Sequence, residues 1–359
     1  MNANPRQGGS RIGKWPGSEP GFQRLCRASL LACSALLLGG CSAAWQSGRP
    51  VPSILDARGP AAARIESLWW LLFWLGTAVY IVVMAALLFA LFRSRKDREE
   101  HNQRDEPRWR RVMLWGGLVI PALILVVVYG FTLNTLRATA IPAEADEVVV
   151  EVVGRRWWWE VHYPDRQIVS ANEIVIPVGQ PVRLRLTSDE VIHSFWVPQL
   201  HGKMDANPRI YTNFWLQADE AGEYWGECAE YCGVQHAKMR FLVIAVPPAE
   251  FQSWLDEQAQ PAQQPAEEAA VEGQQVFLRT GCINCHTVRG TNATGELGPD
   301  LTHFASRRTL AAGALENTRG SLGGWISDPH SIKPGNLMPP TALTGAELNA
   351  LLTYLESLR

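Results

Sequence analysis

Two long stretches without a charged residue constrain this chain more than any other feature: SLWWLLFWLGTAVYIVVMAALLFALF from Ser67 to Phe92, and a second from Val112 to Leu136. A helix that crosses a bilayer needs ~20 apolar residues. Both stretches are long enough, which predicts a transmembrane hairpin over residues 67–137 with helices near 67–92 and 112–136. Pro121 in the second is tolerated because neighbouring helices resatisfy the freed carbonyl. Between them lie Arg93, Arg95, Lys96, Arg98, Arg104, Arg108, Arg110 and Arg111. The positive-inside rule makes that loop cytoplasmic, so the chain before and after the hairpin faces the other side.

The N-terminal region has Arg6, Arg11, Arg24 and Arg27 and then an apolar run, Leu30 to Leu38, too short to span a membrane. Basic, apolar and small residues in that order read as a secretory signal. LGGC at Leu38–Cys41 resembles the lipobox of bacterial lipoproteins, which implies a signal peptide over 1–40, a lipid on Cys41 and an exported segment over 41–66. Net charge is −2, without the basic excess of a nucleic-acid binder.

From Glu147 the pattern changes to EVVVEVVG, EIVIPVG, PVRLRLTS, IYTNFWLQ and RFLVIAVP, short β-rich segments punctuated by Gly and Pro. They predict an antiparallel sandwich or small barrel, set here at residues 138–256. PAEFQSWLDEQ reads as its closing helix, and AQPAQQPAEEAA predicts a flexible linker over 257–266. Residues 267–359 read as a small, mostly helical unit whose last helix has a capping box at Thr344 and Glu347. A unit that small gains from a cofactor that supplies core.

Of the chain's 7 cysteines, four form two close pairs in this C-terminal half. In GECAEYCGVQHAKM, Cys228 and Cys232 are followed by His236 and Met239, with His193 upstream. Thiolate, imidazole and thioether select copper, and a site this soft on a β-sandwich is cupredoxin chemistry. Zinc is the competing metal, but it would leave Met239 without a role. Two thiolates and two imidazoles suggest more than one copper.

Cys228, Glu230, Cys232, Gly233, His236 and Met239 match C-x-E-x-C-G-x-x-H-x-x-M. Here the chain resembles subunit II of the haem-copper cytochrome c oxidases over Leu68–Trp254. The resemblance implies a binuclear CuA centre held by His193, Cys228, Cys232, His236, Met239 and the carbonyl of Glu230, whose side chain also reaches a magnesium ion shared with subunit I. It further implies that Trp157, in GRRWWWEVHYP, receives electrons from an external cytochrome c, whereas Trp158 and Trp159 are expected to be core or interface packing. Many family members carry a glutamate where this chain has Leu114; Glu106 or a residue of subunit I would have to replace it at the proton-channel mouth.

CINCH at Cys282–His286 is the attachment signature of c-type haem: Cys282 and Cys285 bond the porphyrin and His286 coordinates iron. Met338 in KPGNLMPP is the sixth-ligand candidate, a combination that raises the potential and suits electron transfer. GPDL resembles the class I cytochrome c segment in which the carbonyl of a proline, here Pro299, orients the histidine. His303 and His330 are expected to be packing or surface residues.

The order is a hairpin, a cupredoxin-like β-sandwich and a small all-α class I cytochrome c domain, and it resembles subunit II of a caa-type cytochrome c oxidase. This implies a bacterial inner-membrane protein with both redox domains on the periplasmic face, and subunits I and III as partners. It would take electrons from a cytochrome c or similar donor through haem c and CuA to haem a of subunit I, for oxygen reduction coupled to proton pumping. A CuA-bearing subunit of a nitric oxide reductase and a non-catalytic membrane electron carrier are the alternatives. The full ligand set disfavours a quinol oxidase.

Overall fold

The computed structural model describes residues 52–92, 106–142, 145 and 147–359. The expected signal segment, Cys41 and most of the basic loop lie outside the described residues, as does the side chain of Glu106.

Helix α1 (Pro60–Phe92) has 33 residues and starts earlier than the apolar run. Proline suits a first helical position, and the first turn is tied to the sandwich by Ala62 N donating to Leu200 O at 3.2 Å. α2 (Glu106–Leu114), a π-helical turn (Trp115–Val119) and α3 (Ile120–Ala138) run on from one another. The wide turn directly precedes Pro121, whose missing N–H would leave the Gly117 carbonyl without its α-helical partner. Leu, Val, Ile and Phe are exposed along both helices, for example Val82, Leu91, Leu125 and Val126. In water such a surface would be costly; in lipid it is what a spanning helix presents. Leu114 lies on that surface too.

The sandwich comprises β1 (Val149–Arg155), β2 (Trp158–Tyr163), β3 (Ile168–Ala171), β4 (Glu173–Pro177), β5 (Val182–Ser188), β6 (His193–Trp196), β7 (Met204–Ala206), β8 (Thr212–Leu216), β9 (Gly222–Cys228) and β10 (Arg240–Val246). One sheet runs β3-β2-β1-β5-β8 and the other β4-β10-β9-β6-β7. The expectation of antiparallel pairing needs correcting at two places: β1 pairs parallel with β5, and β4 with β10. In both cases intervening strands supply the crossover that a parallel pair requires. Alternation drives the burial, as in β1, where every second residue is buried. Between the sheets Trp159, Phe195 and Phe241 meet in edge and stacked contacts, with all three fully buried.

α4 (Pro248–Gln258) closes the sandwich with Phe251 and Leu255. The following stretch is not the flexible linker its composition suggests. Ala262 is buried and its N–H donates to Arg289 O at 3.0 Å, while Arg289 itself donates to the carbonyls of Gln258 and Ala259. Backbone carbonyls met by a guanidinium fix a segment whatever its Ala, Gln and Pro content.

The C-terminal unit holds α5 (Glu268–Arg279), β11 (Thr287–Val288), β12 (Ala293–Thr294), β13 (Thr309–Leu310), β14 (Leu315–Glu316), α6 (Arg319–Ser327), α7 (Pro329–Ile332) and α8 (Gly345–Ser357). It is helical as expected, with two ladders of two residues per strand added to the all-α reading. α5 crosses α8, where Phe277 and Tyr354 place their rings 5.7 Å apart. The capping box is formed: Thr344 accepts from Glu347 N, and Glu347 accepts from Thr344 N.

Candidate metal and haem centres

The turn after β9 carries the soft donors, and β6 brings His193 against it. Cys228 Sγ lies 3.8 Å from His193 Nδ1 and 3.8 Å from Cys232 Sγ. Cys232 Sγ in turn lies 3.8 Å from His236 Nδ1 and 3.8 Å from Met239 Sδ. The Glu230 carbonyl is 3.2 Å from Cys228 Sγ. All six residues expected from the sequence therefore meet in one continuous cluster. The cysteines are free thiols, far beyond the ~2.05 Å of a disulfide.

His193, Cys228 and Cys232 are buried, with donor atoms mutually within 4.8 Å. The two thiols share a proton: their contact holds Cys228 far below the ordinary thiol range and pushes Cys232 up. Two imidazole nitrogens, two sulfurs, a thioether and a carbonyl converging in a cluster that is buried at His193, Cys228, Cys232 and Met239 fit copper chemistry. Met239, fully buried, completes the donor set. Gly233 adopts φ +121°, which favours glycine, and Trp157 packs against it, so a Cβ there would lie 3.0 Å from the indole Cζ2.

Trp157 begins beside this loop and ends in the second site. Its Nε1 donates to Cys232 O at 2.9 Å, and the residue also lines a cavity together with Cys282, Cys285, His286 and Met338. Trp158, also in that wall, is half-buried, whereas Trp159 is core.

The cavity fits haem. Cys282 and Cys285 flank the short 3-10 turn Cys282–Asn284, which brings both thiols and His286 to one wall. His286 Nδ1 is 2.8 Å from Pro299 O. A carbonyl only accepts, so Nδ1 carries the proton and Nε2 keeps its lone pair for iron. Burial lowers the His286 pKa, outweighing the Pro299 hydrogen bond that raises it. Gly298 is required here, since a Cβ would meet His286 Cε1 at 2.6 Å. Met338, half-buried, lies on the wall as well, its loop shaped by Asn336 Oδ1 accepting from Met338 N at 2.8 Å.

His303 is buried and bonds through Nε2 to Gln260 O at 3.0 Å, and His330 is exposed; neither joins a centre. Sequence reasoning missed Glu173 and Lys333, both buried where the two units touch. Lys333 carried a signal, as the single lysine in residues 267–359. Glu173 had none.

Two family profiles match: "Cytochrome C oxidase subunit II, periplasmic domain" over residues 166–246 and "Cytochrome c" over residues 270–359. Cytochrome c oxidase subunit 2 of Alkalihalophilus pseudofirmus is 34% identical over 340 residues, covering 92% of this chain and 96% of that protein. The Bacillus subtilis cytochrome c oxidase subunit 2 is 34% identical over 352 residues with the same coverage, 92% and 96%. A crystal structure of the periplasmic domain of subunit II of cytochrome oxidase from Bradyrhizobium japonicum is 29% identical, covering 33% of this chain and 96% of that one at TM-score 0.32.

Proposed function

This chain belongs to the cytochrome c oxidase subunit II family, and from that premise we propose that it relays electrons from an external cytochrome c or similar donor to haem a of subunit I, in a caa-type oxidase that reduces oxygen and pumps protons. Haem c and CuA, when bound, would each supply one-electron chemistry. Cys282 and Cys285 would hold the haem covalently, His286 and Met338 would ligate its iron, and Pro299 fixes the histidine tautomer. His193, Cys228, Cys232, His236, Met239 and the Glu230 carbonyl hold the copper pair. Glu230, exposed on the turn, offers its carboxylate to a magnesium ion shared with subunit I.

One observation carries the relay. Trp157 borders both sites: its indole N–H donates to the carbonyl of Cys232, and the residue lines the haem cavity, where Lys333 Nζ donates to its backbone carbonyl. The family role of this tryptophan, facing an external cytochrome c, is thereby taken over by the chain's own C-terminal unit. The two apolar helices anchor the relay in the bacterial inner membrane, with both redox units on the periplasmic face, the basic loop in the cytoplasm and a lipid on Cys41. Subunits I and III complete the complex.

Purified complex should consume oxygen with reduced cytochrome c, and Trp157→Phe should slow that turnover while leaving copper and haem content intact. Consumption of nitric oxide in place of oxygen would overturn the oxidase reading. Unchanged turnover in the variant would overturn the role of Trp157.

A further inference from the structure

Two buried ionisable side chains cross the contact between the copper and C-terminal units in opposite directions. Glu173, in β4 of the copper unit, is 6% exposed, and its Oε1 accepts from Arg308 N at 2.7 Å and Thr309 N at 2.9 Å. Lys333, in the C-terminal unit, is 3% exposed, and its Nζ donates to Trp157 O at 2.9 Å. Beside it Gln235, between the copper-loop residues Cys232 and His236, donates to Pro334 O at 2.5 Å.

A buried charge tolerates its loss of hydration only where hydrogen bonds replace the water. Each of these groups finds its replacement on the other unit. Burying such a group contributes little to net affinity, but it penalises a slipped arrangement, because a shift of one residue leaves a buried polar group unpaired. The two groups point opposite ways across the contact. The intervening segment adds no slack, as Arg289 holds the carbonyls of Gln258 and Ala259.

We propose that Glu173 and Lys333 are positioning residues, reciprocal buried pegs that lock the haem-bearing unit onto the copper unit, so that electrons pass in one fixed geometry and not through swinging of a tethered domain. Lys333 acts directly on the relay, since it holds the backbone of Trp157. The consequence for electron passage rests on the haem and copper reading above; the docking itself does not.

Hydrogen–deuterium exchange on the purified full chain tests the lock. In the wild type the Arg308 and Thr309 amides should be as protected as the β9–β10 ladder. Glu173→Ala and Lys333→Met should each raise exchange at 308–309 and at 156–158 by on the order of 100-fold, the scale of losing one partner of a buried hydrogen-bonded charge, while β9–β10 stays protected. Fast exchange at 308–309 in the wild type, or protection unchanged in both variants, would overturn the proposal.

A second measurement needs no variant. In wild-type complex, the rate of electron passage from haem to copper after flash reduction should not change with glycerol viscosity. A rate that falls in proportion to viscosity means a swinging domain, and the lock is wrong. Metal and haem analysis of the same samples separates the two ideas: missing copper or haem counts against the site assignment, and altered protection or viscosity dependence against the lock.

Discussion

The copper and haem sites are built by opposite strategies. The copper donors are gathered by a sandwich that is already full: Cys228, Cys232 and Met239 belong to the same buried cluster as Trp159, Phe195 and Phe241. The haem site is a cavity, and its cysteines and Met338 sit half-buried on the walls. Protein side chains finish the first core, and the second is left for a prosthetic group to fill. Loss of cofactor should therefore be tolerated by one unit and not by the other.

The strongest way to break that comparison is to remove the covalent haem. In Cys282→Ala/Cys285→Ala the C-terminal unit should lose its cooperative melting transition, forfeiting the stability of a domain this size, on the order of 5 kcal/mol or more, while the sandwich melts as before. Calorimetry that finds both transitions unchanged would show that the haem is not structural.

Gly298→Ala asks how tightly the histidine is held. The added methyl would lie 2.6 Å from His286 Cε1, so overpacking should cost about 1–3 kcal/mol, and the haem absorption should shift as the ring is displaced from Pro299. A variant with wild-type spectrum and melting would mean the ring has room to move.

A smaller effect is expected at the cap of α8. Thr344→Ala should cost the C-terminal unit about 1 kcal/mol and leave the sandwich untouched. The Glu347 carboxyl is held down at about 2 by the Thr344 N–H and by Arg279. Its folded pKa is below the unfolded value of 4.5, so its stabilisation is complete above pH 4.5 and fades as pH falls toward 2. The deficit of Thr344→Ala should shrink over that window in acid-titrated melts.

Least disruptive to the fold should be Cys228→Ser. With no metal present it should shift the sandwich transition by within about 1 kcal/mol, the scale of one hydrogen bond, yet leave at most one copper per chain. A large loss of metal-free stability would mean the copper site is no more preassembled than the haem cavity.

What could be read from the sequence follows the same division. Cys228, Cys232, His236 and Met239, like the CINCH segment, lie close together in the chain, so spacing pointed to them, Glu230 entered only through the family resemblance, and the apolar runs announced the helices by length. His193 was legible only through a strand end and a family pattern. The parallel β1–β5 and β4–β10 pairs were not legible, because alternation records which face is buried and not the direction of the neighbouring strand. Glu173 and Lys333 were hidden for a related reason: a charged residue reads as solvent-facing until the partner that buries it is in view. The linker misled similarly, since Arg289, the residue that holds it, lies far along the chain.

The central proposal is that one chain would hold a copper pair at Cys228 and Cys232 and a haem at Cys282 and Cys285. Metal analysis combined with electron paramagnetic resonance of the copper-loaded full chain tests this most directly. Two coppers and one haem iron per chain, with the copper spin shared equally by both nuclei and localised or lost in Cys228→Ser, is the predicted result. One copper with a localised spin in the wild type, or two coppers retained in Cys228→Ser, would contradict it.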